Sequence, residues 1–332
     1  MPNLIRVQAP HRRNGDTTVR VQWNMGNTCN YACEYCPSIL HNGTRPWLPA
    51  DVCVRTAEQI TQHYDRPVHF ELIGGEVTVM PGFREVVEAI HRGGARSTIY
   101  TNASRSVAWW SQAKEYLDTV QITWHPLTLD FEHLCAVISE IRESVDIAIN
   151  IAGIHTQVEM LGERADELRA LFEGSNRNPS DRVSIAVKTM YTKYLGRGAR
   201  QQTYWAYTQS EREVLARPGI PPQPAPQSPS DPDPNDANTS FDYDDGTRVY
   251  SQNHQIIDRG LNSFQGMHCY AGIESISIDP SGDVYGSWCG AAHLGNIQGK
   301  WSLPDEPIAC PFSHCNNLAD CGISKVAPGS TL

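Results

Sequence analysis

Cys29, Cys33 and Cys36 place three thiols within eight residues, in the segment GNTCNYACEYCPS. Three thiolates at CxxxCxxC spacing can hold three irons of a [4Fe–4S] cubane and leave the fourth iron open to a substrate or cofactor. That asymmetry suits catalysis better than electron storage. The competing chemistry is a zinc site, but zinc ribbons bring paired CxxC units, and this segment has no local fourth ligand. A second group of thiols lies far along the chain. Cys269 and Cys289 bracket CYAGIESISIDPSGDVYGSWC, and Cys310, Cys315 and Cys321 follow in CPFSHCNNLADCG. Two cubanes ligated only by cysteine would need more thiolates than these five, so one further cubane is the economical reading. Structural zinc is the alternative there, with His268, His293 and His314 nearby as nitrogen ligands.

Three shorter segments add groups suited to holding a ligand. In IGGEVTV, the paired Gly74 and Gly75 let the backbone approach a bound molecule closely, and Glu76 can meet a cationic amine. In YTNAS, Thr101, Asn102 and Ser104 offer polar side chains, although such residues are also ordinary turn formers. In ITWHP, Trp124 and His125 are candidates for lining a substrate cavity. Cys53 and Cys135 stand apart on expected helices, where an inert thiol is the default and a hydrogen-atom donor the more interesting alternative.

The elements that must position these groups alternate. From about residue 17 to 191, β-like runs (TTVRVQWNM, VHFELIGG, STIYTNAS, TVQITWHP, DIAINIAGI and VSIAVKTMY) alternate with helix-like runs, the pattern of parallel βα units. Six such units predict an α/β fold, an open partial (β/α)6 barrel. In such folds, sites gather where the strands end, and that is where the glycine pair and the first thiol group fall. Pro81 at a first-turn position, with Gly93 and Gly94 closing, marks a helix containing Phe83, Val86, Val87 and Ile90. Phe131, Leu134, Ile138 and Ile141 mark another. Pro280-Ser281-Gly282-Asp283 predicts a hairpin turn between Cys269 and Cys289.

Residues 217–240, rich in Pro, Ser, Asn and Asp, read as a mobile linker. The expected organisation is therefore a barrel over 1–216, the linker, and a small Cys-rich domain over 241–332. A length of 332 residues with 40% hydrophobic residues can fill a substantial core. The formal charge of −10 argues against a phosphate-backbone partner, so nucleic acid is not expected. No apolar stretch approaches membrane-spanning length and the N-terminus lacks a signal-peptide core, which predicts a soluble, cytoplasmic protein with no membrane partner. Ten cysteines in such a compartment point to metal binding or catalysis rather than disulfides.

The triad in the loop after the first strand, with an aromatic residue before its last cysteine, resembles the radical S-adenosylmethionine (SAM) superfamily; Tyr35 fits the aromatic position. IGGEVTV resembles that family's GGE motif, with Val77 where proline is common. The resemblance implies that Cys29, Cys33 and Cys36 hold a [4Fe–4S] cluster whose open iron binds SAM. It implies that Gly74, Gly75 and Glu76 bind the methionyl amino group, and that Thr101, Asn102 and Ser104 contact the ribose or sulfonium region. The second thiol group resembles the SPASM/twitch extension, which implies an auxiliary [4Fe–4S] cluster held by Cys269 and Cys289 with two of Cys310, Cys315 and Cys321. The spacing CxxxxCxxxxxC departs from the usual CxxC start of that extension. The implied activity is reductive SAM cleavage and hydrogen abstraction from a substrate, fed by a reducing partner such as flavodoxin or ferredoxin. Many relatives with this extension modify ribosomally made peptides by epimerisation, cross-linking or excision. A small molecule such as a sugar derivative is the second substrate reading. A non-catalytic iron–sulfur carrier or scaffold is the reading of another class; it would need neither an open iron nor a SAM pocket.

Overall fold

A computed structural model of the chain describes residues 2–155, 157–172, 183–193, 203–204, 207–215, 239–252 and 255–332. Nearly all of the expected 217–240 linker lies outside the described residues. The fold is mixed α/β, and the chain divides into two compact units: residues 24–58 with 70–226, and residues 1–23, 59–69 and 227–332. The expected division was into consecutive segments. Each unit instead draws on segments remote in sequence.

Val68–Ile73, most of which lies in the first of these units, and that unit's strands Arg96–Thr101, Thr119–Trp124, Asp146–Gly153 and Val183–Thr189 are successive neighbours in one sheet. From Arg96 onward each pairs with the next in parallel. The β-like runs of the sequence fall on these strands because long β-branched stretches such as DIAINIAG can be buried on both faces only inside a helix-covered parallel sheet. Helices return the chain between strands. Phe83–Arg92 buries Phe83, Val86, Val87 and Ile90, the expected apolar face. It starts two residues after Pro81, and at its end Gly94 adopts the left-handed conformation (φ 73°) that a side chain would resist. The next two helices open on side-chain caps. Ser106 accepts from the Trp109 N–H before Val107–Ala113, and Asp130 accepts from the His133 N–H before Phe131–Ile141.

In the other unit, a six-stranded antiparallel sheet runs in the order Arg248–Ser251, Thr239–Tyr243, Leu4–Gln8, Lys325–Val326, His268–Cys269 and Ile308–Ala309. Leu4–Gln8 thus lies between strands from the far end of the chain. Ser275–Ile278 pairs in parallel with Arg20–Trp23, and antiparallel with Asp283–Tyr285. The turn at 280–283 forms as expected. Gly282 takes φ 87°, and the Asp279 carboxylate accepts from the N–H groups of Ser281 and Asp283. Among the described residues no helix is long and apolar enough to cross a membrane. All ten cysteines are free thiols.

Candidate functional site

The loop carrying Cys29, Cys33 and Cys36 is anchored at its base by Asn27, which is buried. Its amide donates to the Ile39 carbonyl (2.9 Å), Asn42 Oδ1 (2.8 Å) and Thr44 Oγ1 (3.2 Å), and its Oδ1 accepts from the Arg45 N–H (2.7 Å). The loop also lies directly on the glycine pair. Gly75 N donates to Gly26 O and Glu76 N to Thr28 O, and a Cβ at Gly75 would sit 2.2 Å from Thr28 O. One at Gly74 would sit 2.8 Å from Gly26 O. The glycines therefore serve a close approach between two stretches of this chain's own backbone. That approach sets the cysteine loop above the strand end.

The three thiols, Gly74, Gly75, Thr101, Asn102 and His125 line one cavity of about 180 Å³, joined by Tyr31, Leu40, His41, Tyr100 and Thr123. Cys29, Cys33 and Cys36 are each partly exposed. Burial, and then the neighbouring Cys33 and Cys29, push the Cys36 thiol up to about 11; burial also pushes Cys29 up. An environment that resists thiolates at Cys29 and Cys36 is one that a cationic metal core would relieve. Among the described residues no three His, Cys, Asp or Glu side chains gather as ligands of one metal ion. The thiolates of a cubane sit on separate irons, so they need not gather in that way. The residues fit the cubane.

Glu76 is placed differently from the expectation drawn for it. It is fully buried and does not line the cavity. Its Oε1 accepts from Thr78 N (3.1 Å), Thr78 Oγ1 (2.6 Å) and Thr101 Oγ1 (2.7 Å), and its Oε2 from Asn102 N (2.5 Å). Burial drives its pKa upward, against the pull of these donors. The carboxylate thus fixes Thr101 and Asn102, which do face the cavity. Beyond them Ala103 turns through φ 58°, an uncommon conformation for a residue with a side chain, and its N–H is held by Thr101 Oγ1. The turn brings Ser104 to Asn30: Asn30 Nδ2 donates to Ser104 Oγ (2.9 Å), while Asn102 Nδ2 donates to Asn30 Oδ1 (3.0 Å). Ser104 holds the cysteine loop and does not itself line the cavity.

The Trp124–His125 pair separates. Trp124 is buried, donates through Nε1 to Leu129 O (2.9 Å) and packs on Phe131, so it belongs to the core. His125 enters the cavity, with Nδ1 3.6 Å from Cys33 Sγ and 2.7 Å from Tyr35 Oη, its ring stacked on Tyr35. Burial holds its pKa down to about 4, so the imidazole is neutral near pH 7. Tyr35, the aromatic residue before the last cysteine, touches His125 rather than the cavity. The sequence reading missed Tyr31, His41, Tyr100 and Thr123. Tyr100 and Thr123 were reachable from it, since both lie at the C-terminal ends of strands already assigned.

The second thiol group is organised otherwise. Cys269, Cys310, Cys315 and Cys321 are buried in one hydrophobic cluster with Phe241, Phe264, Met267 and Ile323. Cys289 is only partly buried and contacts Ser287 Oγ at 3.0 Å. Burial pushes Cys269 up to about 11, and a hydrogen bond to Cys321 raises Cys315. The structure therefore buries Cys269 with all three of the later cysteines, while Cys289, more exposed, lies near enough to Cys269, Cys315 and Cys321 to act on them electrostatically. Cys53 is buried on the helix Ala50–His63, its thiol pushed up to about 12 by burial, as an inert cysteine should be.

No curated protein matches the sequence. Among solved structures, native anSMEcpe with bound AdoMet and Kp18Cys peptide is 13% identical at a TM-score of 0.45, with 86% of this chain and 79% of that one covered. SuiB of Streptococcus suis bound to precursor peptide SuiA is 11% identical at a TM-score of 0.35, covering 87% of this chain and 65% of that one. The family model described as the Radical SAM superfamily matches residues 23–125, a stretch that runs from the strand leading into the cysteine loop to His125 in the cavity wall.

Proposed function

We propose that this chain is a radical SAM enzyme built on a partial (β/α)6 barrel. In this reading, Cys29, Cys33 and Cys36 hold a site-differentiated [4Fe–4S] cluster. When bound and reduced by one electron, the cluster supplies cleavage of SAM to methionine and a 5'-deoxyadenosyl radical, which abstracts hydrogen from a substrate. The observation that carries the reading is that the three thiols open onto one cavity with Gly74, Gly75, Thr101 and Asn102.

The residues divide the work. Asn27 and the glycine pair seat the cysteine loop. Glu76 acts indirectly, by fixing the Asn102 N–H and the Thr101 hydroxyl at the cavity wall. Thr101 and Asn102 offer polar atoms to the ribose and sulfonium region. His125, neutral and held by Tyr35, sits against Cys33 where it can hydrogen-bond a cluster sulfur. A one-electron donor such as flavodoxin or ferredoxin completes the half-reaction. Four of the five C-terminal cysteines hold one auxiliary [4Fe–4S] cluster in a twitch-like domain, and a ribosomally made peptide is the proposed substrate class.

The test is formation of 5'-deoxyadenosine by anaerobically reconstituted, dithionite-reduced protein. Product should appear with the native sequence and fall to background when Cys29, Cys33 and Cys36 are replaced together by alanine. Persistent product in the triple variant would overturn the reading.

A further inference from the structure

Lys325 is 1% exposed, one of the largest fully buried side chains in the protein. Its Nζ donates to three main-chain carbonyls: Ile323 O (2.7 Å), Asp320 O (2.8 Å) and Cys321 O (3.4 Å). Three acceptors match the three donors of an ammonium group. The Nζ also lies 4.7 Å over the Phe264 ring, a cation–π position. Among the described residues no carboxylate comes within the 4.0 Å of an ion pair with it. Asp320, whose carbonyl it uses, is itself buried and turns Oδ1 to the Trp288 N–H (3.2 Å); its carboxylate lies beyond ion-pair distance of the ammonium but within reach of its charge. A cation taken out of water without a counter-ion in contact is costly, and carbonyl dipoles, a ring face and one carboxylate at longer range offset only part of that cost.

The surroundings supply a further partner. Lys325 stands directly opposite Cys269 in the antiparallel pairing of their strands. Its ammonium holds the Cys321 carbonyl, and Phe264 and Ile323, which it touches, pack in the same core as Cys269, Cys310, Cys315 and Cys321. Four thiolates on an oxidised [4Fe–4S] core make a dianion, and one-electron reduction makes a trianion. Either would compensate the buried ammonium, and the trianion would gain more from it.

We infer that Lys325 is the built-in counter-charge of the auxiliary cluster, a positioning residue that favours its one-electron reduced form. The inference rests on the proposal that the C-terminal thiols hold a cubane. A fixed positive charge in a water-poor site stabilises the state with the extra electron, so removing it lowers the reduction potential. The lysine thereby makes this cluster a better electron acceptor than its thiol ligands alone would.

The experiment uses the full chain with Cys29, Cys33 and Cys36 changed to alanine, so that the auxiliary cluster is the only cubane present. Iron content, visible spectrum and midpoint potential are read with Lys325 intact and in Lys325→Met and Lys325→Arg, after circular dichroism shows each to be folded. Lys325→Met should keep about four irons, and its reduced-to-oxidised ratio at a fixed potential should fall at least tenfold, about 59 mV for a one-electron couple. Lys325→Arg, which keeps the charge, should lie closer to the native potential. An unchanged potential in an iron-loaded Lys325→Met protein overturns the inference. If Lys325→Met folds but loses its iron, recovery of the iron in Lys325→Arg supports it, and failure to recover overturns it in favour of simple packing. Absence of iron with Lys325 intact would instead overturn the underlying cluster reading, and the lysine's role with it.

Discussion

The two thiol groups invert each other's environment. Cys29, Cys33 and Cys36 are partly exposed along a cavity whose walls are glycine backbone, hydroxyl, amide and imidazole. Four of the five C-terminal thiols are sunk among Phe241, Phe264, Met267 and Ile323 beside a buried ammonium. A group that must admit a ligand to an open iron needs space and polar atoms on one side. A group that only holds and passes electrons gains from being closed. Sequence spacing hints at the difference, three thiols against five, but burial and neighbours express it physically. The lesson is that cysteine count sets what a cluster can be, and the packing around it sets what it can do.

The strongest way to break the comparison is to remove the ligands of one group and count metal. Cys269→Ala with Cys289→Ala should drop reconstituted iron from about eight to about four per chain while 5'-deoxyadenosine formation persists. Loss of SAM cleavage in that variant would show that the closed group is needed for the open group's chemistry. Iron that stays near eight would mean that Cys310, Cys315 and Cys321 suffice with a ligand of another kind.

Gly75→Ala attacks the open group through its floor. The added methyl would lie 2.2 Å from Thr28 O, a backbone atom that cannot swing away. The cysteine loop must lift, with an expected cost of roughly 1–3 kcal/mol in stability and at least a tenfold loss of SAM cleavage. Chemical denaturation and a 5'-deoxyadenosine assay check both. An active, fully stable Gly75→Ala protein would contradict the seating described for the loop.

Glu76→Gln is smaller still, because it preserves shape. It places an amide N–H₂ where a carboxylate oxygen now accepts from Thr101, Thr78 or Asn102. A cost of about 1–3 kcal/mol in stability is expected from the mispaired buried donors, with a weaker SAM affinity and a cleavage rate at saturating SAM that changes less. A direct salt link from Glu76 to the SAM amino group would instead show as a far larger loss of affinity with stability unchanged.

The smallest effect is on pH. Burial lowers His125 to about 4, against an unperturbed value of about 6.5. Between those values the unfolded chain takes up a proton that the native protein refuses. This contribution to stability is therefore complete above about pH 6.5 and declines as the pH falls toward 4. Urea midpoints of the cluster-free protein should follow that slope, and His125→Gln should flatten it. Equal slopes in the two proteins would show that the imidazole is not held neutral.

Much of this was legible in the sequence, for reasons that are local. The parallel strands announce themselves as β-branched runs, and the thiols and paired glycines are recognisable because their chemistry needs close spacing. What could not be read is direction. Trp124 and His125 are adjacent, and only the placement of the strand end decides that one faces the core and the other the cavity. Glu76 carries the right charge for an amine, but four donors from the chain itself, two hydroxyls and two backbone N–H groups, claim its oxygens first. The strand Leu4–Gln8 was missed as well. Five residues between two prolines give little periodicity, and their partners lie more than two hundred residues away.

That strand bears on how the protein comes off the ribosome. Leu4–Gln8 is made more than two hundred residues before either of its hydrogen-bonding neighbours, Thr239–Tyr243 and Lys325–Val326. Until Thr239–Tyr243 emerges it is a strand with two open edges, and its second edge is covered only once Lys325–Val326 has been made. Non-local pairing of this kind slows folding and leaves apolar edges exposed meanwhile. The core that buries Cys269, Cys310, Cys315 and Cys321 includes Val7 from this strand. The core around those thiols is therefore completed only after residues more than three hundred positions apart have both been made.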